Sequence, residues 1–272
     1  MPILSHIFIY PVKSLAGIEV SNWQVNKKGL LHDRKWMLID SNNQFLSQRH
    51  IPKMALIHTQ LTKTELILSN ALSGSISLPL NPQGGHDIIS TIWNDQCPSK
   101  TISKESDQWL SDFLEIECKL VYQADEVSRF VDPKYAATTD IVNFSDGFPF
   151  LITSEASLDS LNQAMDLPLP MQRFRPNLVI SHCNSYAEDS WREISINNIN
   201  FRLPKPCSRC AVPTINTDTA ETNKEPLTTL SRIRKWNKKV FFGQNALHNN
   251  TGELSVNDKV NVILTGPKQP PL

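Results

Sequence analysis

Short apolar or alternating runs fill the first hundred positions of the chain. The apolar runs at residues 3–10 and 35–40 and the alternating run at residues 20–26 predict β-strands. Further short strands, separated by Asn, Pro and Gly, are predicted at residues 54–61, 65–69, 75–78 and 88–93. Strands this short and this evenly spaced are typical of a meander or a small barrel.

One helix interrupts the strands of this first half. From Ser106 onward the large apolar residues fall on one helical face, with Ser106 and Asp107 as the predicted capping residues. A short strand is expected at residues 118–122, and residues 123–147 are polar and irregular. We therefore predict two domains, residues 1–125 and residues 126–268.

The second half combines strands with two further helices. An apolar run at residues 148–153 precedes a helix that opens at Ser154, and another helix begins at Pro226. Strands are predicted in a hairpin over residues 191–203 and, outside it, at residues 178–181, 240–244 and 254–263, the last interrupted by a turn. The tail, residues 267–272, is expected to be loosely held. The whole pattern predicts a mainly β chain with a few helices, an α+β fold.

Charge and cysteine content narrow the function classes. Lysine plus arginine equals aspartate plus glutamate at 27 each, so no overall field would draw the chain to nucleic acid or to a membrane. Residues 201–240 carry a local positive excess, and we interpret its densest part, residues 232–239, as a solvated helix face. Five sparsely spread cysteines and an N-terminus without a signal-peptide pattern predict a soluble, cytoplasmic protein.

A Cys-x-x-Cys pair, Cys207 and Cys210, lies between prolines directly after the predicted hairpin. The prolines predict a stiff loop. A structural zinc site is disfavoured because the other three cysteines are single and far apart, and a redox dithiol is disfavoured because extended chain follows the pair. Two interpretations stay open. One is an exposed thiolate, beside Arg209, acting as a soft metal ligand or a nucleophile; the other is a structural loop with incidental cysteines.

Three basic loops lie at the ends of predicted strands, around Lys13, Arg34 and Arg175. Lys13 and Ser14 lack the glycines of a nucleotide phosphate loop, so they either bind another anionic oxygen or form an exposed surface pair. Arg34 could equally pair with neighbouring Asp33. The proline after Arg175 predicts an extended conformation for that arginine. If these cations converge with Arg209 and a thiolate, the site would suit an anionic cofactor carrying a soft metal, but spacing alone does not show convergence.

Six motifs in order carry a family resemblance that spans about residues 3–264. They are Tyr10-Pro11-Val12-Lys13-Ser14, Asp33-Arg34, Ser154-Glu155-Ala156-Ser157-Leu158, Phe174-Arg175-Pro176-Asn177, Tyr186-Ala187-Glu188-Asp189-Ser190-Trp191, and Cys207-Ser208-Arg209-Cys210 with Pro213-Thr214. Together they resemble the MOSC-domain molybdenum-cofactor proteins that have an N-terminal MOSC β-barrel domain, such as the mitochondrial amidoxime-reducing component and its bacterial relatives. The resemblance implies a MOSC-type β-barrel preceded by a small, β-rich MOSC N-terminal domain.

The resemblance also implies a site. It implies the molybdenum cofactor, Mo-molybdopterin, with Cys210 as the catalytic thiolate ligand of the metal and Cys207 nearby without that role. The residues that match family positions holding the pterin and its phosphate are Lys13, Ser14, Arg34, Arg175, Asn177, Ser208 and Arg209. These residue types suit the task, because arginine and lysine bind phosphate while asparagine and serine bind ring heteroatoms.

The activity implied by the resemblance is reduction of N-hydroxylated compounds such as amidoximes, hydroxylamines and N-hydroxylated bases. The chain shows no cysteine-rich ferredoxin-like domain, so a separate ferredoxin- or flavoprotein-type donor is the expected partner. The alternatives are a sulfur-transfer or cofactor-carrier protein using Cys210, and a silent binding protein. The family pattern is altered at residues 216–220, at Gly147-Phe148 and at Asn245, so contacts there are expected to differ.

Overall fold

The computed structural model describes residues 1–272 and contains 21 strands and three α-helices. The strands of the first half are β1 (Ile3–Ile9), β2 (Ile18–Val20), β3 (Asn22–Asn26), β4 (Gly29–Leu30), β5 (Trp36–Ile39), β6 (His58–Leu61), β7 (Glu65–Asn70), β8 (Gly74–Pro79), β9 (Asp87–Ile92), β10 (Asp95–Thr101) and β11 (Lys119–Tyr122). The strands of the second half are β12 (Arg129–Phe130), β13 (Ile141–Val142), β14 (Phe150–Ser154), β15 (Leu178–Ser181), β16 (Trp191–Ile196), β17 (Ile199–Ser208), β18 (Lys235–Trp236), β19 (Lys239–His248), β20 (Gly252–Ser255) and β21 (Val260–Thr265).

The helices are few and short. The α-helices are α1 (Lys104–Leu114), α2 (Glu155–Gln163) and α3 (Leu227–Ile233). Four 3-10 turns occupy Pro52–Leu56, Met171–Phe174, Ala187–Ser190 and Val212–Thr214. None of the helices is long and apolar enough to span a membrane. The prediction of a mainly β chain with a few helices is confirmed.

The largest sheet has nine strands and mixes the two ends of the chain. Its order is β2-β1-β15-β14-β19-β17-β16-β21, with β18 paired to β19. All pairings within it are antiparallel except that of β14 with β15. A bridge between Ile3 and Lys259 joins β1 to the chain just before β21, and the N–H of Val260 donates to the carbonyl of Pro2 at 2.9 Å. These contacts bring the open ends of the strand order together, so the sheet curls around its core like a barrel.

Smaller sheets form the rest of the molecule. A four-stranded sheet has the order β5-β11-β10-β9, and two three-stranded sheets have the orders β6-β7-β8 and β20-β3-β4. Strands β12 and β13 pair only with each other. Helix α1 packs against β11. Its N-terminus is capped by Ser103, whose side chain accepts the N–H of Ser106 at 3.1 Å. The prediction that Ser106 and Asp107 cap this helix is therefore wrong, because the helix begins at Lys104 and its cap lies three residues before Ser106.

The two largest of five buried apolar clusters stabilise these layers. One cluster of 18 buried residues fills the nine-stranded sheet and includes Leu4 and Ile9 from the first strand together with Ile180 and Phe201. The other, of 17 buried residues, lies under α1 and the strands of the first half. The start of the chain thus contributes to the core formed mainly by the second half. The domain division at 125/126 stays a prediction, and strands on both sides of it share one sheet.

Two stretches differ from expectation in ways that affect the site. Cys207 and Ser208 end β17 instead of lying in a loop, because register shifts after Arg202 and after Pro206 let the proline-containing strand continue along β19. The tail is also held: the N–H of Gln269 donates to the carbonyl of Asp189 at 2.9 Å, and its carbonyl accepts from Gln244 at 2.7 Å.

Candidate functional site

The loop that follows β1 is the base of the candidate site. The main-chain N–H of Tyr10 donates to the carboxylate of Asp33 at 2.8 Å, which fixes the end of the strand. Three residues on, the buried ammonium of Lys13 donates to the carbonyl of Phe144 at 3.0 Å and to the carboxylate of Asp146. Burial lowers the pKa of Lys13, and Asp146 opposes that shift. Lys13 is therefore not an exposed surface lysine but an anchored, inward-facing donor.

Two arginines stack on the ring of Tyr10. The guanidinium carbon of Arg34 lies 4.3 Å from the ring centroid, and that of Arg175 lies 4.2 Å from it. Both arginines adopt left-handed backbone conformations, with φ of 48° and 55°. Burial is the main cause that raises the pKa of Tyr10 to about 12. The phenol therefore stays neutral and serves as an aromatic spacer between two like charges.

Hydrogen bonds lock the two guanidinium groups differently. Arg34 donates to the carboxylate of Asp33 at 2.6 Å and to the side-chain oxygen of Asn177 at 3.0 Å. Arg175 donates only to a carbonyl, that of Leu15 at 2.6 Å. Burial first, and the neighbouring charge of Arg34 as well, lower the pKa of Arg175 to about 10.

The left-handed backbone of Arg175 overturns one prediction. The proline that follows favours an extended residue, yet φ and ψ of Arg175 are 55° and 45°. The residue ends the 3-10 turn Met171–Phe174, and its N–H donates to the carbonyl of Gln172 at 3.0 Å. That turn, together with the stacking on Tyr10, outweighs the local preference imposed by Pro176.

The Cys-x-x-Cys segment meets this group of residues through Arg209. The main-chain N–H of Arg209 donates to the carbonyl of Val240 on β19 at 2.8 Å. Its guanidinium donates to the carbonyl of Phe174 at 2.7 Å and to the sulfur of Cys207 at 3.1 Å. Because Phe174 directly precedes Arg175, Arg209 is brought to the same site. The arginine thus contacts Cys207 and not, as its neighbouring position suggested, Cys210.

The four cations Lys13, Arg34, Arg175 and Arg209, called the basic cluster below, are only half balanced by acids. Asp33 pairs with Arg34, and Asp146 pairs with Lys13 and with Arg49 from the first half. Neither Arg175 nor Arg209 pairs with any carboxylate, and the Nε of Arg209 is buried without a hydrogen-bond partner. Partly buried cations are normally paired. The surplus charge and the unused donor fit a bound anion, such as the phosphate of a cofactor.

The other predicted site residues are placed as follows. Asn177 is buried with its amide committed to Arg34, to the N–H of Leu151 at 3.2 Å and to the carbonyl of Phe8 at 3.2 Å. It therefore orients Arg34 in this structure instead of offering a free amide. Ser14 has a φ of 66° beside Lys13, and its carbonyl accepts from Gln48 at 2.7 Å. Ser208 is exposed at the end of β17, and Cys210 is half-buried just beyond it.

Sequence reasoning missed Tyr10, Asp146 and Arg49 as parts of the site. Tyr10 ends an apolar strand and begins one of the six motifs, but neither pattern assigns it a role in the site, and Asp146 lies in the irregular segment near the predicted domain boundary. The one sequence feature that could have indicated the role of Tyr10 is Gly17, because a Cβ atom at that position would clash with the Tyr10 ring. Only a residue without a side chain allows the loop to close on the ring.

Two of the positions where the family pattern is altered keep local hydrogen bonds. The side-chain oxygen of Asn216 accepts the N–H of Asp218 at 2.8 Å, which forms an Asx turn, and Ala220 completes it with a φ of 60°. Asn245 donates to the carbonyl of Pro206 at 3.4 Å and so ties β19 to β17 below the cysteines.

Comparison with known proteins matches two family models to the chain. The MOSC N-terminal beta barrel domain matches residues 1–117, and the MOSC domain matches residues 139–261. Mitochondrial amidoxime-reducing component 1 of Mus musculus is 32% identical over 278 residues, covering 96% of this chain and 82% of that protein. Its Homo sapiens counterpart is 31% identical over 283 residues, with coverage of 96% and 82%.

A second group of relatives is longer. Molybdenum cofactor sulfurase of Danio rerio is 33% identical over 270 residues, which cover 90% of this chain and 32% of the sulfurase. The family resemblance carried by the six motifs is thereby confirmed. The chain belongs to the family of MOSC-domain proteins that carry an N-terminal MOSC β-barrel domain.

Proposed function

We propose that the chain binds the molybdenum cofactor and reduces N-hydroxylated compounds with electrons from a separate ferredoxin- or flavoprotein-type donor. The observation that carries the proposal is the pair of guanidinium groups, Arg175 and Arg209, that have no carboxylate although both are partly buried. The names of the relatives, amidoxime-reducing component and molybdenum cofactor sulfurase, supply the class of cofactor and substrate.

The basic cluster would hold the cofactor's phosphate and pterin. Arg175 and Arg209 have donors to offer an anion, and the Tyr10 ring keeps Arg34 and Arg175 side by side in spite of their repulsion. Asn177 fixes the orientation of Arg34, while the hydroxyls of Ser14 and Ser208 are available for ring heteroatoms. Cys210 would be the soft thiolate ligand of the metal.

When bound, the cofactor would supply the oxygen-removing redox chemistry that amino-acid side chains do not provide. The chain's own part is electrostatic and positional. The surplus positive charge stabilises an anionic ligand, and the buried spacer and the main-chain carbonyls keep the donors rigid. Balance requires that the donor provides the electrons, solvent provides the protons, and the oxygen leaves as water.

The test is a matched pair of cysteine variants made in a host that synthesises the cofactor. Molybdenum content and reduction of benzamidoxime by a chemical electron donor are measured for the wild type, Cys210→Ala and Cys207→Ala. We expect Cys210→Ala to lose activity and Cys207→Ala to keep it. A wild-type protein without molybdenum, or a Cys210→Ala variant as active as the wild type, would sink the proposal.

Sulfur transfer or cofactor carriage is the second candidate, and the sulfurase relatives favour it. In this version a cysteine, Cys210 first of all, bears a persulfide. The contact between Arg209 and the sulfur of Cys207 places a cation against one thiol of the pair and makes Cys207 worth following too. Intact-protein mass spectrometry separates the candidates, because a persulfide adds one sulfur to the cysteine and a metal ligand does not.

A cytoplasmic location is part of the same proposal. All five cysteines are free, which suits a reducing compartment. Fractionation of cells expressing the tagged protein tests it, and recovery in a membrane or organelle fraction would contradict it.

A further inference from the structure

A group of side chains from the first half of the chain borders the basic cluster. Arg49 donates to the carboxylate of Asp146 at 3.0 Å, and the indole N–H of Trp93 donates to the other oxygen of that carboxylate at 3.3 Å. The ammonium of Lys13, which shares Asp146, lies 5.2 Å from the ring centroid of Phe45. Asp146 therefore connects the basic cluster to an aromatic and cationic rim formed by Phe45, Arg49 and Trp93.

Trp93 is both fixed and open to solvent. It lies in the turn between β9 and β10 with a φ of 55°, and 44% of its surface is exposed. The guanidinium carbon of Arg49 is 4.4 Å from its ring centroid, and the ring of Phe45 meets it edge-on at 4.8 Å. A large aromatic side chain held by three contacts yet left nearly half exposed is unusual for a residue whose task is packing.

Trp109 shows what a packing tryptophan looks like in the same half. Its indole N–H is also bonded, to the carbonyl of Ser73 at 3.0 Å. Its ring, however, packs against the core cluster beneath α1 and touches no group of the basic cluster. The two residues share size and hydrogen-bonding but differ in position.

We propose that Trp93 is a specificity-determining residue, whose open indole surface packs against the planar ring of aromatic or heteroaromatic N-hydroxylated substrates. The inference rests on the proposed function and names the substrate class within it. An exposed indole beside an anion-binding site offers π-contact to a flat ring, whereas a substrate without a ring gains nothing from it. The contacts to Arg49 and Phe45 reduce the freedom that binding would otherwise remove.

The kinetic test uses the cofactor-loaded protein and a ratio of substrates. We measure kcat/KM for benzamidoxime and for hydroxylamine, which lacks a ring, in the wild type, Trp93→Ala, Trp93→Phe and Trp109→Phe. The benzamidoxime-to-hydroxylamine ratio should fall about tenfold in Trp93→Ala, mainly through KM for benzamidoxime, and recover in Trp93→Phe. Trp109→Phe should keep the wild-type ratio. A ratio in Trp93→Ala equal to that of the wild type overturns the inference.

A binding measurement supplies a readout that does not need turnover. Benzamidoxime added to the protein should quench tryptophan fluorescence in the wild type and in Trp109→Phe, and the quenching should be lost in Trp93→Phe. Quenching that persists in Trp93→Phe overturns the inference even if Trp93→Ala fails to fold. If the wild type reduces neither substrate, the proposed function fails, while the fluorescence result still decides the role of Trp93.

Discussion

Arginine stacks on tyrosine in two places, and the two places differ in one respect. The guanidinium of Arg175 lies 4.2 Å from the ring centroid of Tyr10, and that of Arg234 lies 4.1 Å from the ring centroid of Tyr186. Arg234 is only 4% exposed and donates to the carboxylate of buried Asp189 at 2.7 Å. Arg175 has no carboxylate. A nearly identical stacking contact thus occurs once in a closed ion pair and once in an open cation.

The closed pair is a structural device. Asp189 also accepts from Gln244 at 2.9 Å, and its carbonyl receives the N–H of the tail residue Gln269. The charges of Arg234 and Asp189 neutralise each other within the protein, although the Nε of Arg234, like that of Arg209, has no hydrogen-bond partner. In the basic cluster, by contrast, Arg175 and Arg209 are held in place but have no carboxylate to neutralise them. The difference indicates that the missing counter-charge, and not the stacked arginine, distinguishes the proposed ligand site from a structural ion pair.

Removing the arginine of the closed pair should have the largest effect. Arg234→Met leaves Asp189 buried without its cation, which typically costs about 3–5 kcal/mol of folding free energy. Urea denaturation measures the loss. Arg232→Met, at an exposed position in the last turn of α3, is the matched control and should change stability by less than about 0.5 kcal/mol. Equal stabilities of the two variants would contradict the structural role of the pair.

Removing the arginine of the open site should affect ligand binding more than folding. Arg175→Met strands no buried carboxylate and relieves repulsion with Arg34, so its stability should stay within about 1 kcal/mol of the wild type. Cofactor retention during dialysis, followed by molybdenum content, should weaken by about 2 kcal/mol, or roughly 30-fold. A large stability loss with molybdenum fully retained would reverse the comparison.

Displacing the ring of Tyr10 should have a smaller effect, on both folding stability and cofactor retention. In Gly17→Ala the new methyl group would lie 2.4 Å from the ring of Tyr10, so the ring and the guanidinium groups stacked on it must shift. We expect a loss of about 1.5 kcal/mol in stability, as for other overpacked sites, together with weaker cofactor retention. Gly147→Ala serves as the control, because its Cβ would meet nothing within 4 Å and, like Gly17, it does not have a left-handed backbone. Equal losses in both variants would show that contact with Tyr10 is unimportant.

The smallest expected effect concerns the half-buried histidine His32. Burial first, and the neighbouring Lys35 next, lower the pKa of His32 to about 4. Between pH 6.5 and pH 4 the unfolded chain binds a proton at His32 that the folded chain does not bind. The folding free energy contributed by this residue therefore falls as pH drops from about 6.5 towards 4.

His32→Gln removes that proton uptake. Between pH 7.5 and pH 5.5 the wild type should therefore lose more folding free energy than His32→Gln does. The difference should be under about 1 kcal/mol, since the ring is partly exposed. Thermal unfolding of wild type and variant at pH 7.5 and pH 5.5 measures the difference. A pH dependence that is the same in both proteins would show that His32 is not the group responsible.

Much of the fold follows from local pattern, and the errors have physical causes. The predicted hairpin became β16 and β17, and Ser154 caps α2 by accepting the N–H of Ser157 at 3.2 Å. Both depend on neighbours in the sequence. The extended conformation expected for Arg175 was wrong because a turn before it and a ring from β1 determine its backbone. Long-range contacts of this kind leave no mark in the local sequence.

The candidate site shows the same limit. Residue types and motif order predicted which cations belong to it, and the structure brings Lys13, Arg34, Arg175 and Arg209 together. The solvated helix face expected at residues 232–239 was wrong for Arg234, which is buried, because its partner Asp189 is 45 residues away. The sequence alone does not distinguish Arg175 from Arg234. Only the positions of the carboxylates separate a structural cation from one that is free to bind an anion.

The central claim is that the open basic cluster and Cys210 together hold a molybdenum cofactor. The most direct test is molybdenum and pterin analysis of wild type, Cys210→Ala and Cys207→Ala, purified from a host that makes the cofactor. The account predicts stoichiometric molybdenum in the wild type and in Cys207→Ala, and a metal that is lost or loosely held in Cys210→Ala. Absence of molybdenum from the wild type, or loss through Cys207→Ala instead of Cys210→Ala, would contradict it.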